Sequence, residues 1–270
     1  MKNPDASIII VTWNQPNYTV PCVKSVLEQK ENYEIIIVDN GSVDESVKIY
    51  KKEFGKNKKI KIVTAKENFG YTGGNNLGVS YAKGKYVIIL NNDTIVEKNW
   101  FKELLKAIKS DDSIGAVNSL EIRNGESSSL EDRKFYEMKM NILQYGVKVK
   151  RKKPLKNLDL INANGIKGCS FIYRKDIIDV PFDEDYFIYA EETKLAWILM
   201  CKGYKIKLAT KSVVNHYHNV SRKENKKFAR YAVFLGERNT MMNLLTFYDW
   251  WTTLRIFPLI FAQIIIRNIL

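Results

Sequence analysis

The main pattern in the sequence is a series of short, continuous apolar runs separated by segments with helical periodicity. Five runs are rich in β-branched residues: 7–12, 33–38, 60–64, 86–90 and 114–118. Unbroken apolar runs of this length are typical of strands that are covered on both faces. With helical segments between them, they predict an α/β fold with a Rossmann-like, mainly parallel sheet flanked by helices.

The second half of the chain is less regular. Residues 119–160 are polar, first serine-rich and then lysine-rich, and they predict a surface insertion rather than a domain. Order then resumes with a strand at 170–173, a helix at 190–202 that ends before Gly203, and a strand at 204–209. Because the pattern after residue 222 is helical, we expect one α/β domain over 1–222 and a C-terminal helical segment over 223–270.

The end of the sequence, residues 250–270, is densely apolar. Three polar residues interrupt it: Arg255, Gln263 and Arg267. The uninterrupted part is therefore shorter than the about 20 residues that span a bilayer. Trp250 and Trp251 beside Arg255 are typical of a helix that lies in a membrane interface. A helix docked on the core or on another subunit, as in a homo-oligomer, has the same pattern, but we expect membrane association.

The formal net charge of +13 adds information about partners. Such a charge attracts anionic surfaces, either nucleic acid or the phosphate face of a membrane, and it is also compatible with an ordinary solvated surface. No nucleic-acid-binding pattern accompanies the charge, so we expect no nucleic-acid partner.

Cysteine usage and the first residues bear on the compartment. The three cysteines, Cys22, Cys169 and Cys201, are odd in number and widely spaced, which predicts neither a disulfide framework nor a zinc site. No charged and then apolar leader opens the sequence. We expect a reducing, cytoplasmic location, peripheral at the inner face of the cell membrane.

Polar residues follow three of the predicted strands, at 12–14, 39–42 and 91–93. In an open parallel sheet, ligands bind just beyond the carboxyl ends of the strands, so these residues are expected to converge on one binding edge. Asp39 suits a ribose or base, although a residue there can also serve a turn or a helix cap. Asn91 with Asp93 suits a hard divalent cation, and a simple turn is the alternative.

A glycine- and asparagine-rich segment, residues 68–76, follows the third strand. We expect it to be a loop ahead of a helix that starts near Gly74, with backbone N–H groups that approach a diphosphate. Its spacing and position differ from the dinucleotide-binding glycine pattern, which argues against a nicotinamide enzyme.

Two later groups also bear polar chemistry. Glu191 and Glu192 open the helix predicted at 190–202, where carboxylates can act in a site or simply complement the helix dipole. His216 and His218, the only histidines, lie two residues apart on an extended segment, which fits either metal ligands or a surface pair.

In order and spacing, these pieces resemble family-2 glycosyltransferases of the glycosyltransferase A fold, closest to the rhamnosyltransferase-like branch. Over residues 6–222 the shared motifs are SIIIVTWN, VDNGSVDES, ENFGYTGGNNLG, YVIILNNDT, GCSFIYRKD, FDEDYFIYAEE and HYHNVS. Each motif alone is weak, but the ordered series is specific.

The resemblance implies a nucleotide-sugar site. It assigns nucleoside contacts to Thr12, Asn14 and Asp39, with Asp39 at the base. The rest of the donor pocket is expected to comprise Asn40, Asn68, Gly70, Asn75, Asn91, Asn92 and Gly168. Asn91 and Asp93 correspond to the family's D-x-D element, so that Asp93, with His216, would hold Mg²⁺ or Mn²⁺ against the diphosphate.

The same resemblance places Glu192 at the general-base position, with Glu191 as the second candidate. The base would take the proton of an acceptor hydroxyl while the acceptor oxygen displaces the nucleotide, which inverts the anomeric carbon. Lys194 and Ile198 stand where family members usually have an acidic residue and an arginine, so acceptor recognition is expected to differ.

The expected activity is therefore transfer of a sugar from a UDP- or dTDP-linked donor to a glycan or lipid-linked acceptor in cell-surface polysaccharide synthesis. A nucleotidyltransferase is disfavoured, because residues 13–16 replace the basic glycine-rich loop expected after its first strand. The alternative from another class is a nucleotide-, polyanion- or membrane-binding protein with a degenerate, inactive site.

Overall fold

The computed structural model describes residues 3–123, 135–141, 144–151, 159–217, 226–255 and 257–258. The strands are β1 Ala6–Thr12, β2 Tyr33–Asp39, β3 Ile60–Thr64, β4 Tyr86–Leu90, β5 Thr94–Val96, β6 Ile114–Arg123, β7 Phe135–Asn141, β8 Gln144–Arg151, β9 Leu160–Ala163, β10 Ser170–Arg174 and β11 Lys205–His216. The helices are α1 Pro16–Leu27, α2 Ser46–Phe54, α3 Gly70–Ser80, α4 Trp100–Lys109, α5 Glu191–Cys201 and α6 Lys226–Phe247. The α/β fold predicted from the apolar runs is confirmed.

Within the described residues, nine strands form one sheet in the order β3-β2-β1-β4-β10-β6-β11-β5, with β9 paired to β11. The pairs among β1 to β4 are all parallel, and so is the pair of β6 with β11. β10 is antiparallel to both of its neighbours, β4 and β6. The six strands β1, β2, β3, β4, β6 and β11 therefore all run in one direction, and their carboxyl ends lie along the same edge.

The central strands are apolar throughout because side chains alternate between two buried faces. On β1, Ile8 and Ile10 belong to the core under α1 and α4, whereas Ile9 belongs to the core under α3 and α5. On the first face Trp100 is fully buried, and its indole N–H donates to Ser119 Oγ at 2.9 Å. The sheet is therefore packed between two apolar cores, one on each face, which fix the position of the edge where the polar residues follow the strands.

Helix α3 begins at Gly70, four residues before the predicted start, so residues 70–76 are helix rather than loop. Two of its glycines let the helix lie close to β1. A Cβ added at Gly78 would be 2.3 Å from Cγ2 of Ile9, and one at Gly74 would be 2.7 Å from Cγ1 of Val11. Helix–sheet packing therefore accounts for these two glycines, and the approach of backbone N–H groups of residues 68–76 to a diphosphate stays a prediction.

Several strand predictions need correction. β6 continues to Arg123, β11 continues to His216, and the short strands β5 and β9 were missed. The segment predicted as an insertion, 119–160, contains the end of β6 and an antiparallel hairpin of β7 with β8. These extensions matter because the added residues carry part of the site.

The C-terminal part packs on the domain through α6. The ring of Trp197 on α5 lies 5.1 Å from that of Phe247, measured between ring centroids. Among the described residues, no helix combines the length and apolar character needed to cross a bilayer. Residues 259–270, and with them most of the predicted interfacial segment, lie outside the described residues, and the division at residue 222 stays a prediction.

Candidate active site

The residues that follow β1 and β2 are joined by hydrogen bonds between their loops. Asn14 has a φ of +53°, and its Oδ1 accepts from the backbone N–H of Val43 at 2.9 Å. Asp39 Oδ1 accepts from the N–H of Ser42 at 2.9 Å. The second oxygen, Asp39 Oδ2, is buried and has no hydrogen-bond partner among the described residues. A buried carboxylate oxygen without a partner is costly, so Asp39 is suited to accept from a ligand N–H.

Thr12 and Asn92 belong to a buried hydrogen-bond network behind this edge. The hydroxyl of Thr12 is bonded to Thr19 Oγ1 at 2.8 Å and to the Tyr50 hydroxyl at 3.0 Å. The amide of Asn92 donates to Gln15 Oε1 at 3.0 Å. Both side chains support the loops, and their assignment as substrate contacts stays a prediction.

Asn40, Asn68 and Gly70 are joined by hydrogen bonds between the end of β2 and the start of α3. The amide of Asn40 donates to Asn68 Oδ1 at 3.0 Å and to the carbonyl of Gly70 at 2.8 Å. Gly70 has a φ of +72°, and an added Cβ would lie 2.4 Å from the carbonyl oxygen of Phe187. Asn75 is buried, and its amide donates to the carbonyl of Tyr71 in its own helix at 2.7 Å. These contacts fix the loop between β3 and α3 against β2, and the role of these residues in a donor pocket stays a prediction.

A carboxylate–histidine–carboxylate arrangement lies where β4, β6 and β11 end. Nε2 of His216 is 3.1 Å from Asp93 Oδ1, and its Nδ1 is 2.7 Å from Glu121 Oε1. Two ligand atoms that share an ion at about 2.1 Å in octahedral geometry are about 3.0 Å apart. The separation between Asp93 and His216 therefore fits a divalent ion, with Glu121 orienting the imidazole from behind.

The protonation of His216 is set by these neighbours. Burial by itself lowers the pKa of the imidazole, but hydrogen bonds with Asp93, Cys169 and Glu121 outweigh burial and raise the pKa to about 12. Without a metal, His216 is therefore an imidazolium between two carboxylates. His216 and Cys169 are buried, Asp93 and Glu121 are partly buried, and Lys167 Nζ lies 3.7 Å from Glu121 Oε2.

Sequence reasoning missed Glu121 and Cys169 as members of this cluster. The ligand atoms of Glu121, Cys169 and His216 all lie within 4.8 Å of one another. Glu121 was overlooked because the fifth strand was predicted to end at residue 118. An extended alternation of polar and apolar residues through 119–122 was the available signal. His218 lies outside the described residues.

Asn91 serves the same corner through its backbone. Its N–H donates to the carbonyl of Cys169 at 2.9 Å, and its carbonyl accepts from Thr94 Oγ1 at 2.7 Å. These bonds fix the turn that carries Asp93. The structure thus shows the turn, and the cation site at Asn91 and Asp93 stays a prediction.

Glu191 and Glu192 open α5 but differ in surroundings. Glu191 is buried, and its Oε2 has no hydrogen-bond partner in the described part of the chain. Burial, followed by the charge of Glu192, raises the pKa of Glu191 well above its usual value. Glu192 is half-buried and faces Gly168, where an added Cβ would lie 4.0 Å from the Glu192 carboxyl carbon.

Gly168 links the two halves of the site. Its carbonyl accepts from the hydroxyl of Tyr71 at 2.7 Å, and burial together with Glu191 and Glu192 raises the pKa of that hydroxyl. The next residue, Cys169, belongs to the His216 cluster. Glu192 therefore lies next to Gly168, and His216 lies next to the following residue, Cys169.

The departure at Lys194 also has a structural partner. Lys194 Nζ lies 2.5 Å from Asp183 Oδ2, which ties the first turns of α5 to the acidic motif before it. The ion pair gives Lys194 a structural role at the position where the resemblance predicts an acidic residue.

Comparison with known proteins decides the family. Residues 7–180 match the sequence model of glycosyl transferase family 2. The chain belongs to this family. An uncharacterized glycosyltransferase of Haemophilus influenzae is 27% identical over 250 residues, which cover 84% of this chain and 74% of the relative.

Other family-2 relatives are matched over shorter parts of their length. Poly-beta-1,6-N-acetyl-D-glucosamine synthase of Staphylococcus aureus is 26% identical over 219 residues, or 76% of this chain and 50% of the synthase. Glycosyltransferase GlyG of Streptococcus pneumoniae is 32% identical over 108 residues, or 40% of this chain and 36% of the relative. The chain spans half or less of the length of these two proteins.

Solved structures support the fold. GalNAc-T7, solved with UDP, GalNAc and Mn²⁺, superposes with a TM-score of 0.71 at 17% identity, over 93% of this chain and 49% of the other. A mannosyltransferase of Pyrobaculum calidifontis, solved with GDP-Man and Mn²⁺, superposes with a TM-score of 0.65 at 14% identity, over 96% of this chain and 69% of the mannosyltransferase. The glycosyltransferase A fold is thus confirmed for this family-2 chain, whereas the rhamnosyltransferase-like branch stays a prediction.

Proposed function

We propose that this family-2 glycosyltransferase moves a sugar from a nucleoside diphosphate donor to an acceptor hydroxyl, with a divalent metal and with inversion. The observation that carries the proposal is the pair of Asp93 Oδ1 and His216 Nε2, 3.1 Å apart at the carboxyl edge of the sheet. A cation site there would lie on the same carboxyl edge of the sheet as the unpartnered oxygen of Asp39, which suits a charged diphosphate attached to a nucleoside.

The nucleoside end is assigned to Asp39. Uracil and thymine each carry an imide N–H, and a buried carboxylate oxygen that lacks a partner is a fitting acceptor for it. The Mn²⁺-containing structures named above hold UDP in one case and GDP-Man in the other. Guanine also presents a ring N–H, whereas cytosine does not, so UDP and dTDP are the first donors to test and CDP is the matched negative.

The donor set at Asp93 fits Mg²⁺ or Mn²⁺. The carboxylate oxygen suits either ion, the imidazole nitrogen favours Mn²⁺ over the harder Mg²⁺, and Glu121 holds the imidazole from its other nitrogen. When bound there, a divalent ion supplies positive charge against the diphosphate leaving group. Asp93 and His216 would hold it, and the diphosphate itself would complete the ligand set.

The acceptor end is assigned to Glu192. Its carboxylate takes the proton of the acceptor hydroxyl, the acceptor oxygen forms the bond to the anomeric carbon, and the bond to the diphosphate breaks with its electron pair leaving on the phosphate. A single displacement of this kind inverts the anomeric configuration. Glu191 is less suited to this role because it is buried and its raised pKa favours the neutral form.

The acceptor and the location are extensions of the proposal. Helical backbone at 250–255 exposes Trp250 and Trp251, at 67% and 71%, beside Arg255. Exposed tryptophans with a basic residue and a net charge of +13 support peripheral binding to an anionic membrane face. We propose a glycan or lipid-linked acceptor at the inner face of the cell membrane, in cell-surface polysaccharide synthesis.

The test uses UDP- and dTDP-sugars with a panel of glycan and lipid-linked acceptors, with Mn²⁺, and reads the anomeric configuration of the product by NMR. Glu192→Gln is expected to lower kcat by about 10²- to 10⁴-fold. A product with retained configuration, or a fully active Glu192→Gln protein, would overturn the assigned mechanism. Nucleotide binding without transfer to any acceptor would favour the inactive binding protein.

A further inference from the structure

The segment that precedes Glu191 and Glu192 has an unusual backbone. Phe187, Tyr189 and Ala190 have φ values of +60°, +74° and +65°. Residues with a Cβ rarely adopt this left-handed region, and such conformations persist only where the surroundings hold them. Ala190 is the residue directly before α5, so this backbone determines where the first turn of the helix begins.

On one side, the start of α3 holds the segment. The N–H of Thr72 donates to the carbonyl of Phe187 at 3.2 Å. Gly70 leaves the space for this carbonyl, because a Cβ there would be 2.4 Å from the Phe187 oxygen. This contact fixes one carbonyl and leaves the others to be satisfied elsewhere.

Asn239 of α6 holds the segment from the opposite side. Its amide nitrogen lies 2.8 Å from the carbonyl oxygen of Tyr186, 2.9 Å from that of Ile188 and 2.8 Å from that of Tyr189. The side chain is 0% exposed. A buried amide in the middle of a helix is expensive unless it is bonded, and the donor end of Asn239 is directed entirely at this segment.

Asn243, one turn further along α6, holds the last residue before α5. Its amide donates to the carbonyl of Ala190 at 2.9 Å, and its Oδ1 accepts from the hydroxyl of Tyr186 at 2.9 Å. Asn243 is 1% exposed. Arg238 adds a donor to the carbonyl of Asp185. Neighbouring residues of α6 thus bond five of the six carbonyls from 185 to 190, and Thr72 bonds the sixth.

We propose that Asn239 and Asn243 are positioning residues for Glu192, and that α6 is thereby part of the transfer machinery rather than an appendage. The amides fix the strained backbone, the backbone fixes the first turn of α5, and the first turn places the Glu192 carboxylate beside Gly168. The inference rests on the proposed function, in which Glu192 is the general base.

The test is a double-mutant cycle on kcat between Asn239→Ala and Glu192→Gln, repeated with Asn243→Ala. A misplaced general base lowers the rate of the chemical step about 10- to 100-fold, so each asparagine variant is expected to lower kcat by that factor. The dissociation constant of UDP is expected to change little. In the Glu192→Gln background, the same asparagine substitutions are expected to change kcat less than twofold, because no base remains to be misplaced.

The control is Thr246→Ala, an exposed position on α6 whose hydroxyl bonds only within the helix, and it is expected to keep wild-type kcat. Equal fold-losses from the asparagine variants in both backgrounds would overturn the positioning role, since a general loss of folded protein acts alike in each. If Asn239→Ala does not fold, the cycle is read from Asn243→Ala, which removes only the bonds to the Ala190 carbonyl and the Tyr186 hydroxyl.

The cycle separates this inference from the function on which it rests. Full activity of Glu192→Gln alone would refute the assignment of the base, and the positioning role with it. A large loss in Glu192→Gln combined with independent effects of the asparagines would leave the base assignment intact and refute the positioning role only.

Discussion

Nε2 of His216 lies 3.1 Å from Oδ1 of Asp93, although 123 residues separate the two in the chain. The contact is produced by β5, which pairs antiparallel with the end of β11 and places Thr94 opposite His216. The N–H of Tyr217 then donates to the carbonyl of Asp93 at 2.9 Å. A three-residue strand thereby aligns the two proposed metal ligands.

Glu121 is expected to strengthen metal binding without touching the metal. Its Oε1 lies 2.7 Å from Nδ1 of His216, and loss of such a carboxylate partner typically weakens metal binding about 10- to 100-fold. Glu121→Gln should raise the dissociation constant for Mn²⁺, measured by electron paramagnetic resonance, by that factor. Glu45→Gln, at an exposed surface ion pair, is the charge-matched control and should leave it unchanged. Equal Mn²⁺ affinity in the two variants would refute the role of Glu121.

Metal binding is expected to tighten as the pH rises. Without metal, the pKa of His216 is raised to about 12 by Asp93, Cys169 and Glu121 against the effect of burial, so the imidazole carries a proton at neutral pH. An ion that binds Nε2 must displace this proton, so its affinity should increase by up to about tenfold per pH unit between pH 6 and 9. Calorimetric titration with Mn²⁺ measures this slope. A slope that is absent, or that persists in His216→Gln, contradicts the account.

Asp39→Asn is expected to weaken nucleotide binding while the protein stays folded. Asparagine can keep the bond from the Ser42 N–H through its side-chain oxygen. It replaces the unpartnered carboxylate oxygen by an NH₂ group, which is a donor, and it removes the negative charge. Hydrogen bonds to charged groups contribute about 1.5–3 kcal/mol, so the dissociation constant of UDP should rise about 10- to 100-fold. Isothermal titration calorimetry with UDP in the presence of Mn²⁺ measures this dissociation constant. An unchanged affinity for UDP would exclude Asp39 from base recognition.

Glu191→Gln is expected to gain stability relative to the wild type as the pH rises. Burial and Glu192 raise the folded-state pKa of Glu191 above its usual 4.5, so above that pH the wild-type protein releases a proton on unfolding. Its free energy of unfolding should fall by up to about 1.4 kcal/mol per pH unit from this group, and glutamine removes that loss. Urea unfolding of both proteins at pH 5, 6 and 7 measures the difference, and parallel curves would contradict the buried neutral carboxyl.

Gly78→Ala is expected to destabilise the domain by about 1–3 kcal/mol, because the new methyl group would clash with Ile9 and move α3 away from β1. Gly236→Ala on α6 is the matched control. Its Cβ would be 3.8 Å from the nearest heavy atom, so replacing a helical glycine should stabilise by about 0.5–1 kcal/mol. Chemical unfolding compares the two, and equal changes in stability would refute the packing role of Gly78.

The regular part of the fold could be predicted from the sequence because β1, β2 and β4 carry apolar residues on both faces, which identifies them as buried strands. β5 was missed because three residues carry too little pattern. The antiparallel direction of β10 could not be predicted from the sequence either, because a buried strand has the same composition whichever way it runs.

The site was readable where a motif follows a strand, as at Asp39 and Asp93. Glu121 was not predicted because its position depends on β6 continuing five residues beyond 118, where the apolar run in the sequence ends. Asn239 and Asn243 escaped because a polar residue on a helix gives no sign of burial until its partner is placed, and their partner is a strained loop about 50 residues away. Left-handed φ values at Phe187, Tyr189 and Ala190 likewise have no signature in residues other than glycine.

The most direct test of a metal-dependent donor site at Asp93 is calorimetric titration of UDP and dTDP, with and without Mn²⁺, into the wild type and Asp93→Ala. CDP is the negative ligand, and unfolding curves confirm that the variant is folded. We predict binding of UDP or dTDP to the wild type that requires Mn²⁺ and that Asp93→Ala abolishes. Equal binding to Asp93→Ala, or no binding of any nucleoside diphosphate under any metal condition, would contradict the account.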